Sequence, residues 1–353
     1  MSGGIAQLVA VGAQDAHLVG APEVSFFRST YKRHTNFSQT CERQVIQGNV
    51  TNNGMSTVRF ERKGDLLNYV YFAPYVVADA DTAPVSDWTA LISKVELLIG
   101  GQVVDTQDST YSTLIAPTLS ATNFSKSVAG DLYGGATDEK FYPLRFSFCE
   151  NWQSALPLVA LQYHDVEIRI TWGGSASSKG WNVYANFAYL DTDERAAFSS
   201  GSQNMLITQV QKSIASKSLI QELNYNHPIK YLAAAKGSAM SILHEANKLK
   251  LQINGTDIGD YKFADPNFTS VPLYYHTSNS SVKGTNLFFV PFCLDAAKLQ
   301  PTGSLNFSRL DSARIQSAGH AGAGVGKFDE DIYAVNYNVL RVENGMAGLL
   351  YSN

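Results

Sequence analysis

The stretch AGAGVGKF, Ala321 to Phe328, comes nearest in this chain to a known chemistry, that of a glycine-rich loop cradling phosphates. The mechanism needs a glycine at the first position and a Ser or Thr after the lysine to hold Mg²⁺; Ala321 and Phe328 stand there instead. FDEDIYAVNYNVLRV, which follows, reads as strand and not as the helix whose N-terminus would complete such a site, so a flexible glycine loop is expected. His164, Asp165 and Glu167 have the residue types of a metal or acid-base cluster. Their alternation in QYHDVEIRI places His164 with Val166, Ile168 and Ile170 on one face and the carboxylates with Arg169 on the other, which predicts a core or interface histidine. Cys41, Cys149 and Cys293 lack the paired spacings of zinc sites or a disulfide framework and are read as small apolar groups in strands, in a reducing compartment. No HExxH or GxSxG occurs. The reading assigns no catalytic, cofactor-binding or metal-binding residue and no enzymatic activity.

Two further patterns concern contact more than catalysis. FFRSTYKRHTNF, Phe26 to Phe37, interleaves Arg28, Lys32, Arg33 and His34 with aromatic rings, a mixture suited to nucleic acid or an anionic membrane surface. The charge run is short, and an extended arm anchoring to the domain or to another subunit is the preferred reading. Ile5, Leu8, Phe26, Phe27, Arg28, Tyr31, Lys32 and Arg33 are its candidate assembly residues. Glycan-acceptor patterns begin at Asn36, Asn49, Asn123, Asn254, Asn267, Asn279 and Asn306, and Asn123, Asn267 and Asn279 are kept as candidates. They matter only if the chain enters the secretory pathway. The opening MSGGIAQLVAVGAQDAHLVG lacks a basic leader and carries Asp15, so it is not read as a secretory signal. No apolar run is long enough to span a membrane.

The elements that position these residues are strands. A chain of 353 residues suggests two domains, and 44% apolar with only 16% charged residues, rich in Tyr and Phe, suits half-buried strands. A net charge of −4 supplies no broad phosphate-binding surface, so no specific nucleic-acid binding is expected. CERQVIQGN, STVRFER, DLLNYVYFAPYVV and LVALQYHDVEIRITW combine β-branched and aromatic residues between Gly, Asn, Ser and Asp clusters, while helical periodicity is short and scarce.

The chain also repeats itself. SKVELLIGGQVVDT, from Ser93, returns as NKLKLQINGTDIGDY, from Asn247, with Val95, Leu97, Ile99 and Gly101 matched by Leu249, Leu251, Ile253 and Gly255. Each copy reads as strand, glycine turn, strand. Phe148-Cys149 and Phe292-Cys293 are each followed by a proline, Pro157 and Pro301, and YANFAYL from Tyr184 is answered by YAVNYNVL from Tyr333. A period this long is that of a domain. The expected fold is all-β, two tandem eight-stranded antiparallel sandwiches. Long uneven loops such as Asp79 to Trp88 and Pro117 to Asp138 favour jelly rolls, with an immunoglobulin-like sandwich left open by the strands alone. Expected boundaries are an arm over 1–38, a first jelly roll over 39–198, a linker over 199–207 and a second jelly roll over 208–353.

From end to end the motifs resemble those of the double jelly-roll major capsid proteins of nucleocytoplasmic large DNA viruses, of algal-virus and iridovirus type. The resemblance is carried by GGIAQLVAVGAQDAHLVGAPEVSFFRSTYKRHTNF, LPLVALQYHDVEI, YLDTDERAAF, NYNHPIKYL, PFCLDAAKLQPTGSLNFSRLD and IYAVNYNVLRVENGMAGLLYSN, in that order. It implies a structural protein of an icosahedral virion shell, assembled in the host cytoplasm, in which three chains form a pseudo-hexagonal homotrimer beside neighbouring capsomers. It also implies an arm at the base of the shell, facing minor capsid proteins or an inner membrane, and an outer tower built from loops such as Pro117 to Asp138 and Ala264 to Gly284. This chain departs from many such proteins in being compact. The competing expectations are a minor capsid paralogue with the same fold and a carbohydrate-binding β-sandwich, which would need exposed aromatic platforms and a carboxylate pair at a sheet face.

Overall fold

The structure, a computed structural model, describes residues 12–78, 81, 85, 87–119, 140–277, 286–319 and 326–352. By contacts the chain divides into a unit spanning Met1–Asn36 and one spanning Phe37–Asn353. Within the described part of the first, the one helix is the single turn α1, Ala16–Val19, none of whose residues is buried.

Among the described residues the larger unit begins with ten strands: β1 Phe37–Gln44, β2 Ile46–Gln47, β3 Met55–Arg59, β4 Leu66–Tyr75, β5 Ile92–Ile99, β6 Gln102–Asp108, β7 Tyr142–Pro143, β8 Leu156–Pro157, β9 Val166–Trp172 and β10 Gly180–Leu190. They form two sheets, β1-β10-β4-β7 with β8 beside β4, and β2-β3-β9-β5-β6. Ten more follow: β11 Gln203–Ser213, β12 Ile220–Glu222, β13 Pro228–Ala235, β14 Lys248–Ile253, β15 Thr256–Phe263, β16 Leu287–Pro291, β17 Leu305–Asn306, β18 Ala313–Ser317, β19 Ile332–Glu343 and β20 Met346–Leu349. Their sheets are β11-β19-β13-β16, with β17 beside β13 and β20 beside β19, and β12-β18-β14-β15. Apart from β2 in the first set and β20 in the second, the second set repeats the first, and the order is that of two antiparallel jelly rolls.

The local chemistry explains the repeat. In β9 buried and half-buried residues alternate from Val166 to Trp172, the period of a strand with one face on the core. The two hairpins turn on Gly100-Gly101 (φ +58° and +81°) and Asn254-Gly255 (φ +49° and +76°). Two consecutive positive φ values make the turn whose twist matches the flanking strands, and Gly and Asn adopt it most readily. Both rolls also carry a register shift between the same two neighbours, at Ala185/Phe187 where β10 meets β4 and at Ile229/Tyr231 where β13 meets β19.

Several expectations need correction. The segment Leu158 to Asp165, read as strand, is a 3-10 turn at Leu158–Ala160 and then loop, so His164 lies outside β9. Of the three cysteines only Cys41 lies in a strand, and it is exposed; Cys149 falls on helix α3, Ser147–Glu150, and Cys293 is buried in a bend after β16. The stretch 199–207, expected as a linker, holds the end of helix α4, Thr192–Ser200, and the start of β11 at Gln203, because alternation already runs through QNMLITQVQ. Pro117–Leu119 is no outer loop. It ends a π-helical turn, Tyr111–Ile115, that continues as helix α2, Ala116–Leu119, and it is buried. Helices α5, Ala264–Asn267, and α6, Ser270–His276, open the other segment read as loop.

Candidate functional site: the seam between the jelly rolls

Among the described residues of the larger unit there are three apolar clusters, and two of them join the rolls. The first roll's core, around Phe72, Ile168 and Trp172, takes in Ile207, Leu340 and Val342 from the second. A core around Leu232, Phe288 and Phe328 belongs to the second roll. Between the rolls, Tyr111, Ile115, Ala116 and Leu119 pack on Tyr231, Ala233, Phe289 and Tyr333, which point away from the second roll's core. The alternation of strand side chains supplies this second face: Leu232 and Ala234 point inward, Tyr231 and Ala233 into the seam. Burying side chains such as Ile115 and Phe289 contributes about 1.5–3 kcal/mol each.

Polar groups then fix the register of one roll on the other. Asp105 on β6 is buried; its Oδ1 accepts from the Val210 backbone N–H at 2.9 Å and from that of Thr106 at 2.9 Å, and its Oδ2 accepts from Gln107 Nε2 at 2.8 Å. Removal from water outweighs these donors and pushes the carboxyl up to about 7. Gln209 Nε2 donates to the Val104 carbonyl, while its Oε1 accepts from Asn338 Nδ2 at 2.9 Å and Asn336 Nδ2 at 3.3 Å. Nearer the surface, Asp108 Oδ2 accepts from Tyr333 Oη at 2.6 Å and from Lys212 Nζ at 3.2 Å, and Lys212 also meets Asp331 at 3.1 Å. A buried polar atom left without a partner in such a joint costs about 1–3 kcal/mol, which favours the geometry that pairs these groups.

His164 works at the same seam. Its Nδ1 lies 2.9 Å from the Ala347 carbonyl and 3.2 Å from the Ala347 N–H, linking the first roll to β20. Its ring packs on the β5–β6 turn, where a Cβ on Gly100 would lie 2.6 Å from the imidazole. Asp165 turns the other way, to Arg59 and, at 3.6 Å, Arg62. The expected separation of histidine and carboxylate holds, with His164 as an interface residue.

The remaining sequence-flagged residues are dispersed. Phe328 is fully buried in the second roll's core and Lys327 is exposed, while Ala321–Val325 lie outside the described residues. Phe26 (95% exposed), Phe27 (98%) and Tyr31 (84%) project freely, as do Arg28, Lys32 and Arg33; Ile5 and Leu8 lie outside the described residues. So do Asn123 and Asn279. Asn267 is half-buried, its Nδ2, the atom a glycan would take, donates to the Phe263 carbonyl at 3.0 Å, and Thr269 of its pattern is buried. Asn254 spends its side chain on the Asp311 and Ser312 N–H groups, closing the β14–β15 turn. Among the described residues no group of three or more His, Cys, Asp or Glu could hold a metal ion, and no helix is long and apolar enough to cross a membrane.

Sequence reasoning missed the helical segment Tyr111–Leu119. Its signal was present: Tyr111, Leu114, Ile115 and Leu119 follow the spacing of one helix face.

Comparison with known proteins accounts for a chain whose polar chemistry is spent on joining two rolls. The major capsid protein N-terminus family matches residues 25–178, and the large eukaryotic DNA virus major capsid protein family matches residues 235–348. The major capsid protein of Pyramimonas orientalis virus is 34% identical over 409 aligned residues that cover all of both chains. The chain belongs to the major capsid protein family of large eukaryotic DNA viruses. The counterpart from Paramecium bursaria Chlorella virus 1 is 30% identical, again over all of both chains. Among solved structures, the PBCV-1 virus capsid superposes with a TM-score of 0.75 at 24% identity, covering 93% of this chain and 100% of that one. The Faustovirus major capsid protein shares the fold at a TM-score of 0.61 and 10% identity, covering 94% of each chain. As a major capsid protein the chain has a structural role in the virion, and the tight seam is what that role asks of a single building block.

Proposed function

We propose that this capsid protein forms homotrimers, in which three chains present six jelly rolls in a nearly hexagonal outline, and that these capsomers tile an icosahedral shell assembled in the host cytoplasm. The observation that carries the reading is the internal repeat: two rolls of the same strand order, held in one fixed relation by a buried seam. A stiff pair of similar walls lets a threefold particle offer near-sixfold contacts, and closed rings of identical chains are the usual economy of assembly. Domains follow as an arm up to the start of β1 at Phe37, a first roll from β1 to β10 and a second from β11, at Gln203, to β20, with α4 at the join. The exposed Phe26, Phe27, Arg28, Tyr31, Lys32 and Arg33 suit the arm to contacts with neighbouring capsomers, minor capsid proteins or an inner membrane beneath the shell, an order that forms on binding.

Native mass spectrometry and sedimentation of the purified full chain test this reading. A trimer is expected at micromolar concentration, and a chain that stays monomeric at tens of micromolar would overturn it.

A further inference from the structure

The two rolls repeat their sheets but not their surroundings. On the second roll the outer face of the β11-β19-β13-β16 sheet is covered by the helical segment that follows β6. Among the described residues no element covers the corresponding face of the first roll, on the β1-β10-β4-β7 sheet. Register sets the equivalence: Tyr184 stands opposite Tyr71, as Tyr333 stands opposite Ala233. Tyr333 is buried in the seam, whereas Tyr184 and Tyr71 lie half-exposed on an aromatic surface that continues through Tyr69, Phe141 and Trp152. These last two are 42% and 65% exposed. The rings rest on one another, Tyr71 on Tyr184 at 5.3 Å and Tyr69 on Trp152 at 6.1 Å between centroids, and Tyr69, Tyr71, Phe141 and Trp152 line a groove of about 690 Å³. Phe148, Cys149 and Glu150 of α3, with Asn151 and Trp152 after it, also line this groove.

The covering elements show the opposite asymmetry. In the first roll the segment after β6 is buried almost throughout, from Tyr111 to Leu119. α6 occupies the same place after β15 in the second roll and buries Pro272 and Leu273, but it leaves Val271, Tyr274 and Tyr275 exposed at 41%, 70% and 72%. Likewise Val104, Asp105 and Gln107 of β6 are buried, whereas every residue of β15 is exposed, Ile258, Tyr261 and Phe263 included. Each chain thus holds one satisfied pair, helix on sheet face, and the two unsatisfied halves of a second pair at equivalent positions. A large apolar patch of this kind marks a contact surface.

We propose that α6 and β15 of one copy seat on the open aromatic face of the first roll of a second copy, repeating between chains the joint made within each chain. The inference rests on the trimer reading and names its contact. The two patches differ, so the interface is heterologous, and it closes a ring of three when the internal and external joints each turn the chain by about 60°. The internal joint is tied by buried Asp105 and Gln209, whereas the exposed halves are dominated by aromatic side chains, the groups that most often anchor separable interfaces.

Benzoylphenylalanine placed at position 274 in the full chain, irradiated in the assembled state and mapped by peptide mass spectrometry, tests the contact. Interchain links to 66–75, 141–152 or 180–190 are expected. In parallel, the double variant Tyr274→Lys, Tyr275→Lys is expected to raise the concentration for half-assembly by about 100-fold or more. Its melting temperature at high dilution should stay unchanged, because both side chains are exposed. A trimer whose links fall elsewhere, or whose assembly ignores the double variant, overturns the contact and leaves the trimer standing. A wild-type chain that remains monomeric overturns both.

Discussion

Replacing Asp105 with Asn separates the burial of a side chain from the burial of its charge at the joint between the rolls. Asp105 is buried, and desolvation raises its carboxyl from 3.8 to about 7 against three N–H donors. A raised carboxyl favours the protonated native state. The stabilisation is therefore fully present below pH about 4 and is lost as the pH rises through about 7. A displacement of about 3 units at ~1.36 kcal/mol per unit makes the swing about 4 kcal/mol. In Asp105→Asn the amide oxygen still accepts from Val210 and Thr106, but its NH₂ then faces Gln107 Nε2, which also donates to the Arg145 carbonyl at 3.0 Å. That opposed pair costs about 1–3 kcal/mol and does not titrate. Urea unfolding of both proteins, followed by tryptophan fluorescence between pH 4.5 and 8, gives the difference in stability with all other titrations cancelled. The wild type is expected to lead at pH 4.5 and to lose about 3–4 kcal/mol of that lead by pH 8. A lead that stays constant within about 0.5 kcal/mol would show that the carboxyl titrates alike in the folded and unfolded chain, and would refute the raised value. A lead that grows with pH would mean that the N–H donors outweigh desolvation, and would refute the sign of the argument.

Gln209→Leu removes the side chain that serves the Val104 carbonyl and the Asn336 and Asn338 amides together, and should cost about 2–4 kcal/mol in chemical denaturation; a loss under 1 kcal/mol would show that the joint does not depend on it. Gly100→Ala and Gly101→Ala both force a side chain into positive φ, but only the first brings a Cβ within 2.6 Å of His164, so it should be the more destabilising by about 1 kcal/mol or more in thermal melts. Phe328→Ala should lose about 3–5 kcal/mol as a fully buried side chain, while its neighbour Lys327→Ala, exposed, should change neither stability nor the absence of calorimetrically detectable ATP binding.

Much of this protein is written in short-range pattern. Alternation along VEIRITW marks a half-buried strand wherever it falls, and two adjacent residues able to hold positive φ, Gly100-Gly101 or Asn254-Gly255, make a hairpin without help from the rest of the chain. Because these signals recur in the same order, the repeat of whole domains was legible as well. Where local pattern was weak or capped, the reading slipped. Residues before Val166 continue the alternation without pairing in a sheet, and the helical face from Tyr111 to Leu119 is too short to stand out beside long strands.

The sequence by itself determined that this chain folds as two similar antiparallel sandwiches, because strand period and turn chemistry act over a few residues. Only the tertiary structure decided what each sheet's outer face meets. Tyr333 and Tyr184 occupy equivalent strands in echoing motifs, yet one is buried beneath a helical segment from more than two hundred residues earlier and the other lies half-exposed. Period-two alternation says that a side chain points out of the sheet; whether water or another element waits there depends on contacts between residues far apart in the chain, which no local pattern records.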